Sequence, residues 1–122
     1  QGIAQAQYNL GYCYYNGDGV AKDYKKAVYW FQKSADQGIA DAQYNLAQCY
    51  SKGEGVAQDY NKAVYWYQKS AEQGYAQAQY NLGVCYYNGY GVAKDHKKGI
   101  FWIKKAAAQG YQPAKEALKE LE

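Results

Sequence analysis

Gly38 to Gln73 reads GIADAQYNLAQCYSKGEGVAQDYNKAVYWYQKSAEQ, and the residues on either side of it are near copies. Ala42, Tyr44, Leu46, Cys49, Tyr50, Gly53, Gly55, Val56, Asp59, Ala63, Trp66, Ala71 and Gly74 all have an identical counterpart 36 positions earlier, from Ala6 to Gly38. Most recur 36 positions later, from Ala78 to Gly110. Self-similarity at a period of about 20–50 residues marks a solenoid, in which stacked neighbours bury a continuous core, and it outranks any local reading. The chain is therefore expected to be one repeat array with units 2–37, 38–73 and 74–109 and a different closing segment, 110–122.

Each unit reads as two helices. From Ala4 to Tyr15 there is no Pro, and Ala6, Leu10, Cys13 and Tyr14 fall at i, i+4, i+7 and i+8, the stripe of one helix face. This is helix A. Asn16-Gly17-Asp18-Gly19 ends it, with Gly17 suited to the left-handed conformation of a helix terminus, and Val20 is expected to plug the turn into the core. Asp23 stands where an N-cap belongs. Tyr24, Ala27, Val28, Phe31 and Ala35 then follow helical spacing, with Lys25, Lys26, Gln32 and Lys33 largely on the other side. This is helix B. The link Gly38 to Ala40 is so short that successive helices must run antiparallel.

The third unit departs from the others in its helix B, at His96, Gly99, Phe101 and Ile103. On helix propensity alone Gly99 costs about 1 kcal/mol relative to the Ala of the other two copies. After Gly110 the composition changes: Pro113 suits a first helical turn, and Ala114, Ala117, Leu118 and Leu121 form a stripe against Lys115, Glu116, Lys119, Glu120 and Glu122. Leu118 falls 36 after Leu82, so this segment reads as a helix A rewritten with a charged outer face, a C-terminal cap.

Fourteen basic and 11 acidic side chains leave a net charge of +3, too mild for a nucleic-acid surface. The longest apolar run, Ala27 to Phe31, is far short of the roughly 18 residues of a membrane helix, so no membrane partner is expected. Gln1-Gly2 matches Gln37-Gly38, so the chain is expected to begin at a repeat junction, as an excised or constructed fragment would. Cys13, Cys49 and Cys85 occupy one register position about a helix diameter apart, beyond the reach of a disulfide, and read as small buried hydrophobes.

The pattern Ala6-x-x-x-Leu10-Gly11-x-x-Tyr14-x-x-Gly17-x-Gly19-Val20-x-x-Asp23-x-x-Lys26-Ala27-x-x-Trp30-x-x-x-x-Ala35-x-x-Gly38 closely resembles the Sel-one-like repeat (SLR) family, relatives of the tetratricopeptide repeats, and does so three times in phase. The resemblance implies an all-α fold: a right-handed, TPR-like superhelix (α-solenoid) of antiparallel helix pairs, with the A helices lining the concave side. It further implies a non-catalytic adaptor or scaffold that binds a peptide or protein partner. The copies are more alike than natural arrays usually are, which points to recent duplication or to consensus engineering. The second of these gives the alternative reading, a structural array with no natural ligand that self-associates end to end through the apolar edge around Ala6 and Leu10.

If helix A lines the concave groove, the positions left over from packing are Gln5, Tyr8, Asn9, Tyr12, Tyr15 and Asn16, then Asp41, Tyr44, Asn45, Gln48, Ser51 and Lys52, then Gln77, Tyr80, Asn81, Val84, Tyr87 and Asn88. Asn pairs with both the N–H and the C=O of an extended backbone, and Tyr adds rigid contact area at low entropy cost. The candidate peptide site is therefore Tyr8, Asn9, Tyr12, Asn16, Tyr44, Asn45, Gln48, Lys52, Tyr80, Asn81, Val84 and Asn88. The competing assignment packs the Tyr rings between helices and spends the Asn side chains on neighbouring helices.

No catalytic residue, metal site or cofactor is expected. Asn16-x-Asp18-Gly19 has Ala27 where a calcium loop needs its twelfth-place Glu, and Gly17-x-Gly19 follows a helix and lacks the third Gly of a dinucleotide fingerprint. His96, the single histidine, stands where the other copies have Tyr24 and Tyr60, and neither Ser34 nor Ser70 has a His at the matching place in its unit. The Lys residues of the B helices, Lys25, Lys26, Lys33, Lys62, Lys69, Lys97, Lys98, Lys104 and Lys105, read as a solvated convex face.

Overall fold

The computed structural model describes residues 2–121, so the readings placed on Gln1 and Glu122 lie outside the described residues. Among those residues the chain forms helices α1 (Gly2–Asn16), α2 (Tyr24–Asp36), α3 (Ala40–Lys52), α4 (Tyr60–Glu72), α5 (Ala76–Asn88), α6 (His96–Ala108) and α7 (Gln112–Leu121), and no strand. Each helix packs on the next, which makes an α-solenoid of antiparallel pairs: α1, α3 and α5 are the A helices and α2, α4 and α6 the B helices. None is long and apolar enough to cross a membrane.

The repeat signals act as read. Asp23, Asp59 and Asp95 have extended backbones and accept hydrogen bonds from the backbone N–H of Lys26, Lys62 and Lys98, each at 3.1 Å, satisfying one open donor at each B-helix start. A second polar set closes each pair at its other end. Ser34 Oγ donates to the Ala4 carbonyl at 2.8 Å and Ser70 Oγ to that of Ala40 at 2.9 Å. Gln73 and Gln109 donate to Gln43 and Gln79 at 2.9 Å, while Gln43 and Gln79 donate onward to the carbonyls of Ala35 and Ala71 at 3.3 and 3.2 Å. Buried amide and hydroxyl groups are thereby paired, which fixes the register of one unit on the next.

The core lies between units as much as within them. One cluster joins Ala27, Val28, Phe31 and Ala35 of α2 to Ala42, Leu46 and Cys49 of α3; the next joins α3 and α4 to Ala78, Leu82 and Cys85 of α5; a third seats Ala114 of α7 on Ile103 and Ala106 of α6. The turns seal these layers. A Cβ on Gly55 would lie 2.4 Å from the Tyr24 carbonyl oxygen, and one on Gly91 2.5 Å from that of Tyr60, so each turn rests bare backbone on the start of the preceding B helix.

Two expectations need correction. Val20 is exposed, whereas Val56 and Val92 pack against core clusters that the preceding B helices α2 and α4 help to build. Gly99 is more than a propensity defect. A Cβ there would stand 2.8 Å from the Gly83 carbonyl oxygen and 2.9 Å from the Tyr87 backbone nitrogen, so Gly83 and Gly99 let α5 and α6 approach backbone to backbone.

Candidate functional site

The side chains that the A helices do not spend on the core meet in clefts between successive A helices, with one cavity at each junction. The first, about 240 Å³, lies between α1 and α3 and is lined by Tyr12, Tyr15, Asn16, Tyr44, Asn45, Gln48 and Lys52. The second, about 230 Å³, lies between α3 and α5, with Gln48, Ser51, Asn81, Val84 and Cys85 on its sides and Tyr60, Tyr67 and Tyr90 completing it. The third, about 300 Å³, lies between α5 and α7 and is lined by Tyr80, Val84, Tyr87, Asn88, Ile103, Ala117, Glu120 and Leu121. Tyr12, Gln48, Val84 and Glu120 hold one register position, 36 residues apart, so Gln48 and Val84 each form the wall shared by two neighbouring cavities.

Ten of the twelve sequence-predicted residues line these cavities, Tyr8 and Asn9 being the two that do not. Asn9 is exposed and accepts from Gln5 Nε2 of its own helix at 3.1 Å. Tyr8 is half-buried, its ring 5.8 Å from that of Phe31 and 6.0 Å from that of Tyr12. Tyr44 sits likewise against Tyr75 at 5.2 Å, and Tyr80 against Tyr111 at 5.6 Å. These tyrosines combine packing with partial exposure. Burial, with the Asp41 carboxylate second, pushes the Tyr8 hydroxyl up to about 12. Burial also raises Tyr44 and takes Tyr67 up to about 12.

The amides bridge the clefts. Asn45 Nδ2 donates to the Tyr8 hydroxyl at 3.3 Å, and Asn81 Nδ2 donates to Gln48 Oε1 at 3.0 Å. Gln48 Oε1 also accepts from the Tyr67 hydroxyl. Asn88 Nδ2 turns back to the Val84 carbonyl of its own helix at 3.0 Å. One donor on each of Asn45 and Asn81 thus holds adjacent A helices together, while an amide has two N–H groups and a carbonyl oxygen with which to do more.

Several lining residues escaped the sequence reading because they come from outside helices α1, α3 and α5. Tyr67 sits at the core position held by Phe31 and Ile103 in the other units, and its hydroxyl was the available signal, since a buried phenol needs a partner. Glu120 was legible too, as the residue 36 after Val84. Tyr60 and Tyr90, stacked 5.6 Å apart at 22°, give no comparable sign.

The other candidate chemistries have structural explanations. His96 stacks on Tyr87 at 4.2 Å, replacing the Tyr15–Tyr24 contact of the first unit. Burial pushes the Cys49 thiol up to about 12 and that of Cys85 to about 11, which suppresses the reactive thiolate. Among the described residues no cluster of His, Cys, Asp or Glu could hold a metal ion.

Stacked helix pairs with one open cleft at each A–A junction define the chain as a helical-repeat protein. The Sel1 repeat family matches three times, at residues 4–39, 40–75 and 76–111, and the chain belongs to that family. It is similar to a Sel1 repeat protein from Oxalobacter formigenes, with TM-score 0.89 and 39% identity over 98% of this chain and 90% of that one. It also resembles c5321, a protective antigen of uropathogenic Escherichia coli strains displaying an SLR fold, with TM-score 0.88 and 43% identity over 90% of this chain and 24% of that one. A 36-residue stretch, 30% of this chain, is 53% identical to a putative sel1-like repeat-containing protein, L18, of Acanthamoeba polyphaga mimivirus, of which it spans 6%.

Proposed function

We propose that the chain is a non-catalytic scaffold that holds an extended segment of a partner protein across the clefts between its A helices. Sel1 repeats generally mediate protein–protein interaction, and what points to this face is the recurrence of one cavity per A–A junction with shared walls at Gln48 and Val84. The first two cavities are below the roughly 300–1,000 Å³ of a small-molecule site and the third, at about 300 Å³, is at its lower edge, a size that suits a single side chain. A row of them at a regular step suits side chains spaced regularly along one extended segment.

Val84→Tyr tests this reading. Tyr is the residue at the matching position of the first unit, so the repeat accommodates it, and here it fills two cavities at once. Peptides selected from a displayed random library on the wild-type array should lose binding to V84Y at unchanged helicity; undiminished binding would refute the cleft as the site.

End-to-end self-association is the second reading, and a specific observation favours it. Ile3 is 71% exposed and Ala6 is open to solvent, whereas Ala42 and Ala78, the counterparts of Ala6, are fully covered by the preceding unit. Sedimentation at rising concentration decides it: a growing mass supports stacking, and a constant monomer mass removes it.

A further inference from the structure

The three cavities follow one register but differ in charge. The first carries the Lys52 ammonium at its rim. The second is neutral, its polar groups being amides and hydroxyls. The third combines an apolar floor from Val84, Ile103 and Leu121 with the Glu120 carboxylate. Asp41, Glu54 and the α7 residues Lys115, Glu116 and Lys119 line none of the three, and Glu54 already accepts from the Tyr15 hydroxyl at 2.5 Å. The row is therefore positive at the α1–α3 end and negative at the α5–α7 end.

Resting on the cleft reading above, we propose that the array selects an extended peptide with an acidic side chain at the Lys52 end and a Lys or Arg at the Glu120 end, separated by an uncharged middle. The third cavity fits a long basic residue, whose methylene stem lies on the apolar floor while its charged head reaches the carboxylate. Packed helices lie about 8–10 Å apart, and an extended chain of the polyproline II type rises about 3.1 Å per residue with every third side chain on one side, so each cavity takes roughly every third side chain. The opposite charges of the ligand then fall about six positions apart. The cavities order the charges along the groove and leave the N-to-C direction of the peptide open.

Lys52 and Glu120 are exposed, so reversing either charge leaves the core intact. The test selects a displayed library of random nonapeptides in parallel on wild type, Lys52→Glu and Glu120→Lys, and sequences the winners. Wild-type winners should carry opposite charges about six positions apart, K52E should enrich peptides basic at both ends, and E120K peptides acidic at both ends. Reversing one ligand charge should weaken binding to wild type about three- to fivefold at low salt, the range of exposed ion pairs, and less at high salt. Winners that bind in the clefts, as V84Y reports, but share one charge pattern on all three arrays would overturn the charge order and leave the cleft reading standing. Failure of every array to retain a peptide would overturn both.

Discussion

Replacing Gly99 by Ala sets two physical effects against each other. Ala is the better helix former by about 1 kcal/mol, and it is the residue of the two other units, Ala27 and Ala63. Sequence logic therefore makes G99A a stabilising, pattern-restoring change. The structure reverses the sign. The new methyl would stand 2.8 Å from the Gly83 carbonyl oxygen and 2.9 Å from both the backbone nitrogen and the Cβ of Tyr87. Two of these atoms are backbone, so no rotamer change relieves the contact and the α5–α6 pair must spread. Overpacking of this kind costs about 1–3 kcal/mol, which offsets or outweighs the propensity gain of about 1 kcal/mol and leaves a net loss of up to about 2 kcal/mol. For a chain of this size each kcal/mol moves the melting temperature by about 3–5 °C. Thermal and urea melts followed by circular dichroism measure the change. A further prediction follows for the Gly83→Ala/Gly99→Ala double variant: it should lose less than the sum of the single losses, since α5 and α6 need separate only once. A rise in melting temperature for G99A would refute the close approach of α5 and α6.

Asp59→Ala removes the carboxylate that accepts from the Lys62 N–H at 3.1 Å, and should lower stability by about 1 kcal/mol in a urea melt. Thiol labelling of the native protein should proceed first at Cys13, the more accessible cysteine, with Cys49 and Cys85 reacting on the timescale of unfolding; equal rates at all three would contradict the burial. Alkali should unfold the chain. Burial raises the thiols of Cys49 and Cys85 and the hydroxyls of Tyr8, Tyr67 and Tyr75 above their ordinary values of 9.0 and 10.0, so the fold prefers their neutral forms. Their contribution is complete below about pH 9 and is lost as pH rises through about 11–12, seen as falling helicity together with tyrosinate absorbance.

The helices were legible because their signals are local. An apolar stripe, an Asp cap and a terminating Gly each act within a few residues, and the 36-residue offset repeats them in phase. The Gly83–Gly99 approach was not legible, since propensity concerns one helix and the consequence lies in the distance between two. The clefts were partly legible. Subtracting the packing stripe from helix A leaves the positions of Tyr12, Gln48 and Val84 facing outward, and the structure places all three in cavity walls. The same subtraction treated Tyr8 as free, yet its ring packs on Phe31, because an aromatic ring with a polar tip serves a seam as well as a surface. Tyr67 and Glu120 were missed because the lining was assigned to α1, α3 and α5 alone, although α4 and α7 also reach the clefts.

A second surface supplies the contrast for a direct test. Tyr29, Tyr65 and Phe101 are also 36 residues apart and exposed on the B helices, with the ammonium groups of Lys33, Lys69 and Lys105 over their rings at 5.2–5.3 Å. The decisive measurement is a side-chain and amide NMR map of the array titrated with a library-selected peptide. The shifts should concentrate on Tyr12, Gln48, Asn81 and Val84 and reach Glu120. Shifts confined to Tyr29, Tyr65 and Phe101, with the A-helix clefts silent, would contradict it.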